Sequence, residues 1–167
     1  MDHGMEYVTL NNRVKMPKLG FGVFQIAKED CERCVLDAIE VGYRHIDTAQ
    51  SYRNEEEVGN AIMKCGVPRE EFFITTKVWI DNYGYEKAKH SVLDSMKKLK
   101  TEYLDLVLLH QPFGDYYGAY RALQELYLSL IHIYRWTVIC RMCSITSIST
   151  SVSVRSRSNT IIRCRNI

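Results

Sequence analysis

No stretch of this 167-residue sequence offers the about eighteen unbroken apolar residues that a membrane span needs, which excludes an integral helical membrane protein. The opening Met1-Asp-His-Gly-Met-Glu6 has no apolar stretch behind it and does not read as a secretory signal. Without one, six cysteines read as reduced thiols of a cytoplasmic protein rather than as a disulfide framework. The sharpest absences are at the end. Residues 128–167 contain no Lys, Asp, Glu, Gly, Ala or Pro, but eight Ser, eight Ile and six Arg. Natural domains need turn residues, and this segment has few beyond Ser and two Asn. Everything up to Tyr127 holds all 20 acidic and 16 of the 22 basic residues, a net of −4. The overall +2 therefore joins two unlike pieces, residues 1–127 and an atypical tail 128–167. Taken whole, 46% hydrophobic and 25% charged residues with a mean hydropathy of −0.22 describe an ordinary globular chain.

Within the first piece a βα rhythm is legible. Residues 7–16 read as a hairpin turning at Asn11-Asn12, ended by Pro17, which has no N–H for a ladder. Strands follow at 19–24, 43–47, 72–78 and 104–109, nearly continuous apolar runs. Helices with apolar faces at three- to four-residue spacing fall at 28–41, 55–65 and 85–100, and a fourth starts at 118–127. Gly42 and Gly66 close the first two helices. Apolar strands alternating with amphipathic helices imply an α/β fold with a parallel sheet. A doubly wound sheet and a (β/α)₈ barrel both satisfy this pattern. The barrel needs roughly 250 residues, so this chain would hold half of one.

Three successive strands end in an ionisable residue: Asp47, Lys77 and His110. Equivalent strand ends converge on one rim, the carboxyl-end rim where barrels do chemistry. Tyr52 lies on the loop just past Asp47. The plainer reading is that Asp47 caps the next helix and pairs with Lys77.

The segment Gly42-Tyr-Arg-His-Ile-Asp47-Thr-Ala-Gln-Ser-Tyr52-Arg-Asn-Glu-Glu-Glu-Val-Gly59 resembles the first signature of the aldo-keto reductases. The resemblance extends through Lys15-Met-Pro-Lys-Leu-Gly-Phe-Gly22, Thr76-Lys77-Val78-Trp79 and Leu104-Asp-Leu-Val-Leu-Leu-His110-Gln-Pro112, covering about residues 7–127 in order. It is nearest the branch acting on small aldehydes, ketones and keto sugars. The resemblance implies a fold: the first four βα units of a (β/α)₈ (TIM) barrel with an N-terminal hairpin. It also implies NADPH-dependent reduction of small carbonyl substrates.

Reducing a carbonyl needs a hydride on carbon and a proton on oxygen. The resemblance makes Tyr52 the proton donor. A free phenol titrates near ~10, and Lys77, held by Asp47, would ease its proton release. His110 would orient the carbonyl oxygen, a role suited to a neutral imidazole, and NADPH supplies the hydride. Gly22, Val23 and Phe24, with Asp47, would lie along the nicotinamide ribose. Phe24, Trp79 and His110 would bound the substrate. Gln111 stands where many relatives have Trp.

Other features carry less. Tyr83-x-x-x-Lys87 and Tyr85-x-x-x-Lys89 match the short-chain dehydrogenase pair but lack its Gly-rich turn. Cys31-x-x-Cys34 on an amphipathic helix reads as core, and a zinc site shared with Cys140-x-x-Cys143 is the weaker reading, so no metal is expected. The tail arginines suggest nucleic acid, without a recognisable module. A non-catalytic half-barrel interaction protein is the other alternative. In the resembling family most contacts to the cofactor's adenine, phosphate and amide come from the second half. A truncated chain with a foreign tail, the alternative being an authentic terminal extension, is therefore expected to be inactive, and to aggregate through open edges at 19–24 and 104–109 and through self-pairing of residues 147–153.

Overall fold

The structure, a computed structural model, describes residues 4–10, 12–129 and, as backbone, 137–140. Strand β1 (Tyr7–Thr9) pairs antiparallel with β2 (Lys15–Pro17), Tyr7 facing Pro17. Their loop is wider than the expected two-residue turn. Leu10 N–H donates to the Val14 carbonyl, Asn12 Oδ1 accepts from Val14 N–H, and Arg13 takes a positive φ of 67°. An Asx-type bond here closes a longer loop than a primed hairpin turn would.

Five parallel strands follow in chain order: β3 (Phe21–Gly22), β4 (His45–Asp47), β5 (Phe73–Val78), β6 (Leu106–Leu109) and β7 (Thr137–Cys140). Helices α1 (Lys28–Glu40), α2 (Glu55–Lys64), α3 (Tyr85–Lys98) and α4 (Tyr116–Ser129) connect them. The fold is that of the amino-terminal part of a (β/α)₈ barrel.

Two sequence expectations need correction. The strand at 19–24 contracts to two residues, with Leu19 and Phe24 68% and 62% exposed. Among the described residues β3 pairs only with β4, so nothing on its outer side extends the ladder. The strand at 104–109 is not an open edge. β7 pairs along all of β6, from Leu106 opposite Thr137 to Leu109 opposite Cys140. Thr-Val-Ile-Cys is a short β-branched run of the kind that favours strands; the odd composition around it hid the signal. The Cys140–Cys143 pairing, the strand-like residues 147–153 and the basic character of the tail fall outside the described residues.

The helices form because each has one apolar stripe to bury. Cys31, Val35, Ala38 and Ile39 of α1, Val58, Ala61 and Ile62 of α2, Ala88 and Val92 of α3, and Ala119, Ala122, Leu123 and Leu126 of α4 are buried. They cover the outward strand residues Ile46, Ile74, Val78, Val107 and Leu109. Each Val, Ile or Leu side chain among these contributes on the order of 1.5–3 kcal/mol when fully buried. At the amino ends of β5 and β6, Arg69 pairs with the fully buried Asp105 at 2.7 Å, donates to the Phe72 and Tyr103 carbonyls, and stacks 4.0 Å from the Tyr103 ring centre. Asp105 in turn accepts from Ile74 N–H at 2.9 Å, so this staple fixes the sheet at the end away from the rim. No helix among the described residues is long and apolar enough to cross a membrane.

His45 packs edge-on to Phe73, ring centres 5.1 Å apart, with Nε2 3.0 Å from Thr75 Oγ1. Burial holds its pKa below the ordinary 6.5; Lys77 adds to this, while Asp47 and the Pro17 carbonyl oppose it. The folded ring is thus neutral where the unfolded one takes up a proton. Its contribution to stability is whole above about 6.5 and falls as pH drops through that value toward the folded pKa. In a barrel completed with a relative's second half, His45→Gln should flatten the fall in urea midpoint between about pH 7.5 and pH 5. An equally steep fall in the variant would assign the pH dependence elsewhere.

Candidate active site

The carboxyl ends of β4, β5 and β6 deliver Asp47, Lys77 and His110 to one rim. Lys77 sits at the centre. Its Nζ lies 2.8 and 2.7 Å from the two Asp47 carboxylate oxygens, 2.9 Å from the Thr48 carbonyl and 3.1 Å from the Tyr52 hydroxyl. Its side chain is only 8% exposed. A buried ammonium survives only when its hydrogens are matched, and here the carboxylate, the carbonyl and the phenol oxygen match them. Tyr52 arrives on a 3-10 turn, Gln50–Tyr52, entered from extended Ala49 and left through Arg53 at φ 59°. Its ring lies 5.0 Å from Phe24, 5.8 Å from His110 and 4.8 Å from Lys77 Nζ. Trp79 meets His110 edge-on at 5.1 Å. Gly22 stands opposite Asp47 in the ladder, and Val23 N–H donates to the Asp47 carbonyl at 3.0 Å. The structure therefore brings every site residue expected from the sequence to the same rim.

Several residues given no role in the sequence analysis hold this arrangement. The Gln50 amide donates to the Ser91 carbonyl and Ser95 Oγ, and accepts from Trp79 N–H and Asn82 Nδ2. Asn54, 1% exposed, donates to the Val23 carbonyl and accepts from Thr48 Oγ1, joining the β3 exit to the Tyr52 loop. Thr76 Oγ1 donates to Glu55 Oε1 at 2.7 Å, which seats the first turn of α2. Ser51 Oγ lies 3.3 Å from His110 Nδ1. Loop polar residues have no period, so the usable signal was only their place beside Tyr52.

Residues 18–137 match the model of the Aldo/keto reductase family. The chain belongs to the aldo/keto reductase family. It is 47% identical over 122 residues to a glyoxal reductase of Bacillus subtilis, covering 72% of this chain and 44% of that enzyme. An aldo/keto reductase structure from Brucella melitensis aligns with a TM-score of 0.77 and 38% identity over 82% of this chain and 52% of the other. A Bombyx mori aldo-keto reductase solved in complex with NADP aligns with a TM-score of 0.73 at 30% identity, covering 81% of this chain and 50% of the other. The chain spans somewhat less than half the length of the curated relatives it matches. The match runs past Tyr127, where the motif pattern stops.

Against this aldo/keto reductase rim the competing motifs have structural uses. Tyr83 OH donates to the Gln111 carbonyl at 2.6 Å and accepts from Gln111 N–H, fixing the loop after His110. Lys89 pairs with Glu125 across α3 and α4. Burial, then Glu57 and Cys34, push the Cys31 thiol up to about 11, so it stays protonated and poorly nucleophilic. Cys34, expected inward, is half-buried.

Proposed function

We propose that this chain carries the catalytic rim of an NADPH-dependent reductase of small aldehydes and ketones, with Tyr52 as proton donor. The observation behind this reading is the 3.1 Å approach of Lys77 Nζ to the Tyr52 hydroxyl, with Asp47 and the Thr48 carbonyl on the other ammonium hydrogens. Because Lys77 donates to the phenol oxygen, the phenol's own hydrogen points elsewhere and is free to pass to a substrate oxygen. The cation then stabilises the negative charge left on Tyr52. His110 steadies the carbonyl oxygen, and Trp79 and Phe24 flank the substrate. NADPH, when bound, supplies the hydride to the carbonyl carbon. Gly22, Val23, Phe24 and Asp47 would hold its ribose side. A Cβ at Gly22 would stand 4.0 Å from Asp47 Oδ2, so its absence leaves room there for a ring to lie against the strand end. The NADP-bound relative supports the choice of cofactor, and the glyoxal reductase supports the substrate class. A cytoplasmic setting suits both NADPH and free thiols.

Residues 1–127 hold, in this reading, the whole of the rim, and residues 128–167, which add β7 to the sheet, do not replace a barrel's second half. The remaining cofactor contacts are too few to offset the ordering cost of binding. The 167-residue chain alone is therefore expected to oxidise no NADPH with an aldehyde, and to associate through the outer sides of β3 and β7. Joining residues 1–127 to the second half of a glyoxal reductase should restore aldehyde-dependent NADPH oxidation. A folded, NADPH-binding fusion without turnover would reject the assignment of the rim; turnover by the 167-residue chain itself would reject the assignment of the tail.

A further inference from the structure

The turn Gln50–Tyr52 plugs three consecutive side chains into three different places. Gln50 bonds the Trp79 and Asn82 loop, Tyr52 meets Lys77 on β5, and Ser51 reaches the end of β6, where its Oγ lies 3.3 Å from His110 Nδ1. The bonds made by Gln50 and Tyr52 fix the backbone on both sides of Ser51, from which its hydroxyl reaches the imidazole. A hydroxyl both donates and accepts, so this distance alone fits either ring tautomer. The chemistry separates them. A neutral imidazole with its hydrogen on Nδ1 would offer a lone pair at Nε2, which repels a carbonyl oxygen. One with its hydrogen on Nε2 offers a donor, and the partner of one ring nitrogen sets the state of the other.

We propose that Ser51 donates its hydroxyl hydrogen to His110 Nδ1 and so keeps the ring hydrogen on Nε2, making Ser51 a positioning residue for carbonyl binding. This rests on the reading that His110 orients the substrate carbonyl, yet it is a statement about one ring and is measurable without turnover. The backbone assists: His110 N–H donates to the Val78 carbonyl at 3.1 Å and Gln111 N–H to Tyr83 OH, so the residue bearing the ring is fixed as well.

The test is solid-state ¹⁵N NMR of the sedimented 167-residue chain, labelled in its histidine rings, at about pH 8, where a free histidine is neutral. Sedimented protein gives these spectra whatever its particle size. The His110 signals are those lost in His110→Gln. The expected result is a neutral ring with its hydrogen on Nε2. Ser51→Ala should lower the ratio of the Nε2-H to the Nδ1-H form, by up to about fivefold, the full worth of one modest hydrogen bond. Ser51→Thr, which keeps the hydroxyl, should restore it. A His110 hydrogen on Nδ1 in the unaltered chain, neutral or charged, overturns the proposal even if the variants misfold. So does an unchanged ratio in Ser51→Ala. Failure of the carbonyl-reduction reading would show instead as a turning-over fusion indifferent to Tyr52, with the tautomer unaffected.

Discussion

Tyr52→Phe, introduced into a barrel completed by a relative's second half, should lower turnover by about 10²–10⁴-fold, the usual span of general acid catalysis. The substitution removes one oxygen and little else. The ring that meets Phe24 at 5.0 Å and His110 at 5.8 Å remains. Lys77 keeps Asp47 and the Thr48 carbonyl, so no unpaired buried charge is created. NADPH affinity should stay near that of the parent, because the phenol acts on substrate oxygen rather than on the cofactor. The pair of measurements is single-turnover aldehyde reduction and fluorescence titration of NADPH. Turnover within a small factor of the parent would mean that the proton comes from another group, and the reading of Lys77 would fall with it.

The largest effect on stability is expected from Gly59→Ala. A Cβ at this position would lie 2.5 Å from the Lys98 carbonyl oxygen, 2.7 Å from the Leu99 carbonyl carbon and 2.8 Å from Leu99 Cα. All three are backbone atoms at the end of α3, and none can swing aside as a side chain would. To admit a methyl group α2 must lift from α3, which disturbs the buried stripe of Val58, Ala61 and Ile62. Overpacking of this kind costs typically 1–3 kcal/mol, and a contact with rigid backbone belongs at the upper end. Helix propensity alone predicts the opposite sign, since alanine is better than glycine inside a helix by about 1 kcal/mol. Urea unfolding of the completed barrel with each residue decides between them: a Gly59→Ala midpoint equal to or above the parent's would contradict this close approach.

The parts of this molecule that were legible in its sequence are those that repeat. Helices α1, α2 and α3 announce themselves by three- and four-residue spacing and lie within two residues of where that spacing puts them. Asp47, Lys77 and His110 were readable together because one βα unit separates each from the next, and equal steps along a parallel sheet return side chains to one rim. Features without a repeat were not legible. The hairpin loop turns on a bond from Val14 N–H to the Asn12 side chain, which no pattern of apolar residues encodes. β3 pairs with β4 only at Phe21 and Gly22, and the apolar run from Leu19 to Phe24 does not reveal where that pairing starts and stops. β7 was hidden by its neighbours' composition. Gln50, Ser51 and Asn54 act through hydrogen bonds to residues far along the chain, and such partners are visible only once the sheet is built.

The strand order has a consequence for how such a protein is made. Position in the sheet follows position in the chain: Phe21 meets Ile46, Ile46 meets Ile74, Thr75 meets Leu106, and Leu106 meets Thr137. Each pairing closes a loop of one βα unit, so no strand waits for a distant partner and the entropic cost of closure is nearly the same at every step. On the ribosome the units can dock in the order in which they emerge, each on a template already laid down. Asp47 and Tyr52 emerge first, Lys77 joins them one unit later and His110 one unit after that, so the proposed catalytic rim is complete as soon as β6 has docked on β5.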